Sequence, residues 1–158
     1  DDPMRKEGLS NALIATADTR SISPLIDAIG SPEEAIRLAL PEAFRAIGTP
    51  AVAPLIQCLL DPRKRVRIQA GEILAGMGRD ALISLLGAIE SCDHDLQQAA
   101  SEVLIIMGKE AIPALQDAAA IHSDDPGIKE LMTKLIAHIK KRERTIRLLA
   151  EYRGEEPL

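Results

Sequence analysis

Aromatic residues are nearly absent: the 158-residue chain holds one Phe (Phe44), one Tyr (Tyr152) and no Trp. Strand surfaces draw on aromatic and β-branched residues, whereas Ala and Leu favour helices. The apolar residues here are chiefly Ala, Leu and Ile, and they make up nearly half the chain. That composition excludes disorder and points to an all-α fold. Cysteine is scarce too. Cys58 and Cys92 do not make a disulfide framework. No apolar run reaches membrane-spanning length, and no signal-peptide pattern opens the chain, so a cytoplasmic protein is expected. A formal charge of −5 argues against general nucleic-acid binding. The first residue is Asp rather than Met, as in a trimmed chain or one that starts within a longer protein.

What the chain has is internal repetition. Gly48, Gly78 and Gly108 lie 30 residues apart, each after Ile47, Met77 or Met107. Leu25, Leu55, Leu85 and Leu115 keep the same step, as do Ala28, Cys58, Ala88 and Ala118. Ile29, Leu59 and Ile89 form another column, as do Ile36, Val66 and Leu96, and Ala43, Ile73 and Val103. Each unit reads as two helices. A short helix A covers roughly 21–29, 50–60, 80–90 and 110–121, and a longer helix B roughly 32–47, 62–77, 93–107 and 126–140. In the second B helix, Val66, Ala70, Ile73, Leu74 and Met77 share one stripe. Gly78 then stands where a left-handed residue ends a helix. Ser31-Pro32, Asp61-Pro62 and Asp125-Pro126 read as N-caps followed by proline at the first helical position.

The expected domain spans 1–158: a half-repeat or cap over 2–18, repeats at 20–48, 49–78, 79–108 and 109–140, and a C-terminal cap and tail over 141–158. The last segment either extends the fourth B helix or starts a new one; Ile139, Ile146, Leu149 and Tyr152 have nearly helical spacing and are expected to cover the open end of the core.

The stretch Asp61-Pro62-Arg63-Lys64-Arg65-Val66-Arg67-Ile68-Gln69-Ala70, running on to Met77-Gly78, with Ala53-Pro54-Leu55-Ile56 before it, resembles the short HEAT-like repeats of the bilin-lyase type. The resemblance covers about residues 20–140. It implies a right-handed α-α superhelix, or solenoid, of about four helix pairs, flanked by the half-repeat and a capping helix. It also implies that B helices line the concave, partner-binding side. Such repeats serve many functions, so the fold alone assigns no activity.

At 100° per residue, the side of the second B helix opposite its core stripe carries Ile68 and Ala75, flanked by Lys64 and Glu72. Matching positions elsewhere include Leu38, Arg45 and Ile105. A row of exposed apolar groups marks an interaction surface unless neighbouring helices cover it. Leu38, Ile68, Ala75 and Ile105 would supply apolar contact, and Arg45, Lys64, Arg65, Glu72 and Glu102 charge selection. The Glu42, Glu72 and Glu102 column also reads as ordinary solvation. Arg37 and Arg67 read as structural, tying one unit to the next through a loop Asp such as Asp61.

Arg63, Lys64, Arg65 and Arg67 crowd a helix N-terminus, where cations are unfavourable. Either nearby carboxylates or an acidic partner must compensate. Lys140, Lys141, Arg142, Arg144 and Arg147 read instead as cations welcomed by a helix C-terminus.

Catalytic motifs are missing. Gly-Met-Gly at 76–78 lies at a helix end, not after a strand, and no Gly-x-Ser-x-Gly elbow occurs. Cys92-Asp93-His94-Asp95 is the most metal-like cluster, but no second ligand set accompanies it, and Asp93 or Asp95 serves easily as an N-cap. The repeated His-Glu pairs of HEAT-like di-iron hydroxylases are not found, nor is the basic, aromatic-bearing groove of HEAT-like DNA glycosylases. No metal or cofactor is expected. The leading expectation is a non-catalytic scaffold that binds a protein partner, as a monomer or weak homo-oligomer. A bilin-lyase-like enzyme subunit and a nucleic-acid-binding module through the basic patches are the rivals.

Overall fold

The computed structural model describes residues 22–122 and 124–153, and the expected half-repeat over 2–18 lies outside them. The described residues form helices and turns, with no strand among them. The A helices are α1 (Ile22–Ile29), α3 (Val52–Cys58), α5 (Arg79–Ile89) and α7 (Ile112–Ile121). The B helices are α2 (Glu34–Ile47), α4 (Lys64–Met77), α6 (His94–Met107) and α8 (Pro126–Arg153). Short 3₁₀ turns at Thr49–Ala51 and Gly108–Ala111 lead into α3 and α7. The chain divides into two compact units, Asp1–Val103 and Leu104–Leu158.

In the first unit α1 packs on α2 and α3 on α4, the A and B helices of one pair. Like also packs on like between neighbouring pairs, α1 on α3 and α2 on α4. The repeat columns are what this packing buries. Leu25, Leu55 and Leu85 are buried, as are Ile29, Leu59 and Ile89, and Ala43, Ile73 and Val103. A further column, Ala51 and Ala81, lies at the start of the A helices with no exposure at all. Removing a side chain such as Leu74 or Ile89 from water stabilises by roughly 1.5–3 kcal/mol. Phe44 is fully buried in the column of Leu74. In the second unit α7 packs on α8, and Leu115, Met132, Leu135 and Ile139 form the buried contact set.

The joints between helices hold most of the differences from expectation. Gly48, Gly78 and Gly108 have φ of 72°, 59° and 70°. At two of them ψ lies outside the left-handed helical region: Gly48 has ψ −145° and Gly78 ψ −121°. That part of the backbone map is closed to side chains more strictly than the left-handed region is. Ser31 and Asp61 do not sit at the N-cap either. α2 and α4 begin three residues after them, and the two side chains cap the preceding turn. Ser31 Oγ accepts from Glu33 N–H at 3.2 Å, and Asp61 Oδ1 accepts from Arg63 N–H at 2.8 Å. Asp93 and Asp125 are true N-caps. Asp93 Oδ1 accepts from the Asp95 and Leu96 amides, and Asp125 Oδ1 from those of Gly127 and Ile128.

α2 contains Pro41, which lacks the N–H that would bond the carbonyl of Arg37. The side-chain amide of Gln69, on α4, donates to that carbonyl at 3.3 Å. At the C-terminal end, α8 runs without a break from Pro126 to Arg153, past the expected boundary at 140. Ile139 is buried, but Ile146, Leu149 and Tyr152 are exposed and do not cover the core. A straight helix that outruns the helix it packs against carries its last turns into solvent.

Candidate surface on the B helices

The outward side of α2 and α4 follows the i, i+4 spacing of a helix. Leu38 is 54% exposed and Ile68 is 51% exposed, at equivalent positions on neighbouring, packed helices. Lys64, Arg65 and Glu72 are exposed on α4 beside Ile68, as Arg45 is on α2. Ala75 is half-buried, so it offers less contact than expected. Arg45 is also less free than expected: its Nη2 donates to the Gly76 carbonyl at 3.4 Å, linking the ends of α2 and α4. Glu102 is exposed on α6, where its carboxylate accepts from Gln98 Nε2 at 3.5 Å.

Ile105 departs from expectation. It belongs to the second unit and is half-buried, and its carbonyl accepts a 2.7 Å hydrogen bond from Arg142 on α8. The side chain turned to solvent at this end of α6 is the next residue, Ile106, at 47% exposure. The preceding repeat shows the same order at equivalent positions, with Ala75 half-buried and Gly76 exposed.

The basic N-terminus of α4 is compensated only in part. Arg63 forms a two-pronged pair with Asp61: Nε to Oδ1 and Nη2 to Oδ2, each at 2.9 Å. This pair holds the Asp61 carboxyl well below its ordinary range, at about 2, through the Arg63 side-chain hydrogen bonds first and the Arg63 amide second. Arg63 also lies over Gly30, where a β-carbon would stand 3.1 Å from its Nη1. Arg67 donates to the Asp61 and Pro62 carbonyls at 2.8 and 3.0 Å. Arg37 repeats this with the Ser31 and Pro32 carbonyls, and Gln97 with Ile89. The column is structural, as expected, but each member ties down its own entry loop through backbone carbonyls rather than reaching a loop carboxylate of the next repeat. Lys64 and Arg65 have no carboxylate partner among the described residues.

A groove of about 470 Å³ lies on the A-helix side, between Ile22, Ile26 and Asp27 of α1 and Gln57, Cys58 and Leu60 at the end of α3. Burial pushes the Cys58 thiol up, and the Asp61 charge adds to the shift. A thiol held protonated is a poor nucleophile. Asp93 commits its carboxylate to backbone amides, and no three His, Cys, Asp or Glu side chains among the described residues group for a metal ion.

Stacked A and B helices, glycine joints in register and cores shared between neighbours define a helical-repeat protein. The HEAT repeats family matches residues 52–132, half of the chain, and the chain belongs to that family. No curated protein matches it. HEAT repeats generally serve as protein-interaction scaffolds. Among the described residues, no helix is long and apolar enough to cross a membrane.

Proposed function

We propose that the chain is a non-catalytic, cytoplasmic scaffold that binds a protein partner on the B-helix face of α2 and α4. The right-handed superhelix expected from the sequence, with this face inward, is part of the proposal. The observation that carries it is the pair Leu38 and Ile68: two large apolar side chains, half in water, at the same place in successive repeats. Lys64 and Arg65, with no carboxylate partner among the described residues, and exposed Glu72 surround Ile68 and would select partners by charge. A surface built on packed helices loses little conformational freedom on binding, which favours affinity.

The test is affinity capture from native cell extract with three chains of equal helicity: the parent, Ile68→Asp, and Ile83→Asp as a control at an exposed apolar position on α5. A protein held by the parent and the control but lost by Ile68→Asp supports the reading. Equal capture by all three, or none, overturns it. Covalent transfer of a bilin to a captured protein would favour the lyase-subunit reading. Binding to nucleic acid that weakens steeply with salt would favour the third.

A further inference from the structure

The basic residues at 140–147 lose their simple explanation once α8 is seen whole. Cations are welcome within the last turn of a helix. Arg147 stands six residues before the end of α8 at Arg153, and Lys140 thirteen. The helix terminus therefore does not offset their charge.

Among the described residues, carboxylates form no ion pair that offsets it. Arg142 is committed to the Ile105 carbonyl. Glu143 is the one acidic residue of the cluster, and its Oε1 accepts the Lys109 amide at 3.0 Å, at the entrance to α7. Lys140, Arg144 and Arg147 have no ion-pair partner among the described residues. These three stand at i, i+4 and i+7, one face of a helix. Together with Glu143 and Ile112 they line one groove of about 380 Å³ between α8 and the start of α7. Like charges crowded on one face repel each other, and a bound anion relieves that repulsion.

We infer that this groove docks an acidic segment of a protein partner, whose carboxylates pair with Lys140, Arg144 and Arg147 while Ile112 gives apolar contact at its floor. A protein segment fits better than a lipid surface. Of the exposed apolar residues beside the groove, Ile146 and Leu149 lie roughly 125–175° around the helix from the mean direction of the three cations, and Leu148 roughly 75°. The cations line a groove between two helices, which an extended segment can enter and a flat bilayer cannot. The site lies within the second unit and goes beyond the α2–α4 surface proposed above.

The experiment titrates the full chain into a fluorescein-labelled oligoglutamate peptide at low salt and follows anisotropy. An oligoglutamine peptide with the same label runs beside it. Binding of the first and not the second is expected, weakening with added salt. Arg144→Glu with Arg147→Glu should reduce affinity about tenfold or more. Lys129→Glu with Lys134→Glu changes the net charge equally, on the same helix and outside the groove, and should have a small effect. Ile68→Asp should leave this binding unchanged, so failure here and failure of the B-helix reading are distinguishable.

Amide chemical-shift mapping on the parent chain gives an answer that needs no variant: shifts should cluster at Ile112, Lys140, Arg144 and Arg147. No binding to oligoglutamate, equal losses in the two charge-reversed variants, or shifts centred elsewhere overturns the inference. So does tighter binding to phosphatidylserine vesicles that is abolished by Ile146→Ser with Leu149→Ser.

Discussion

Pro41 and Gln69 should be thermodynamically coupled, although they sit on different helices and 28 residues apart in the chain. Proline at 41 deprives the Arg37 carbonyl of its helical donor. Gln69 supplies a replacement at 3.3 Å. A net hydrogen bond contributes about 0.5–1.5 kcal/mol, and a part-buried acceptor left unsatisfied costs about 1–3 kcal/mol. The bond is long, so Gln69→Leu should cost about 1 kcal/mol in the parent chain. In a Pro41→Ala background the backbone N–H at 41 returns to the Arg37 carbonyl. There the same change should cost about 0.5 kcal/mol or less, leaving a coupling of about 0.5–1 kcal/mol. Urea unfolding followed by far-ultraviolet circular dichroism measures all four chains, read as midpoint shifts at constant m. If Gln69→Leu costs the same with and without Pro41, the replacement-donor reasoning is wrong.

Three further outcomes follow from the joints and the core. Gly78→Ala should destabilise by about 1–3 kcal/mol in thermal or urea melts, since nothing lies within 4 Å of the added carbon and backbone strain alone acts. The Asp61 carboxyl should titrate near 2 by carbon-detected NMR, and Arg63→Ala should move it back towards its ordinary value of 3.8. Because folding lowers this value, the pair's contribution is present above about pH 4 and fades as pH falls towards 2. Asp61→Asn should therefore flatten the stability curve across that window. Cys92 should react with maleimide at pH 7 well before Cys58, which is buried and held as the thiol. Equal rates would refute the burial of Cys58.

The helix pairs were legible in the sequence because the repeat columns and the core are the same thing. Leu25, Leu55, Leu85 and Leu115 recur because each meets an equivalent neighbour, and all four are buried. Periodicity says less about where a helix meets something outside the repeat. Ile105 and Ile106 differ by one position, and the first is half-buried while the second faces water. The stripe Ile146, Leu149 and Tyr152 kept helical spacing, which a core and an exposed face share. The Pro41–Gln69 bond had a local signal that periodic reading passes over. Gln69 stands where the neighbouring repeats carry Ala39 and Ala99, and Pro41 where they carry Gly71 and Ser101. A double departure from the repeat, 28 residues apart and so two short of one repeat, marks a pair that compensate each other. The groove on α8 had no such signal: the sequence leaves open whether the last segment extends the fourth B helix or starts a new one, and the groove needs the unbroken helix.

The joint glycines also bear on how such a chain tolerates change at the level of its gene. Every glycine codon begins GG, and any single-nucleotide missense change converts it to a residue with a β-carbon. At Gly48 and Gly78 the backbone conformation strains all of those residues, and at Gly108 a β-carbon would also stand 2.9 Å from Glu143 Oε1. Gly87 has no positive φ and open space where the carbon would go. Deep mutational scanning should therefore show three glycine codons that accept only synonymous changes, spaced by one repeat, and a fourth between them that accepts almost anything.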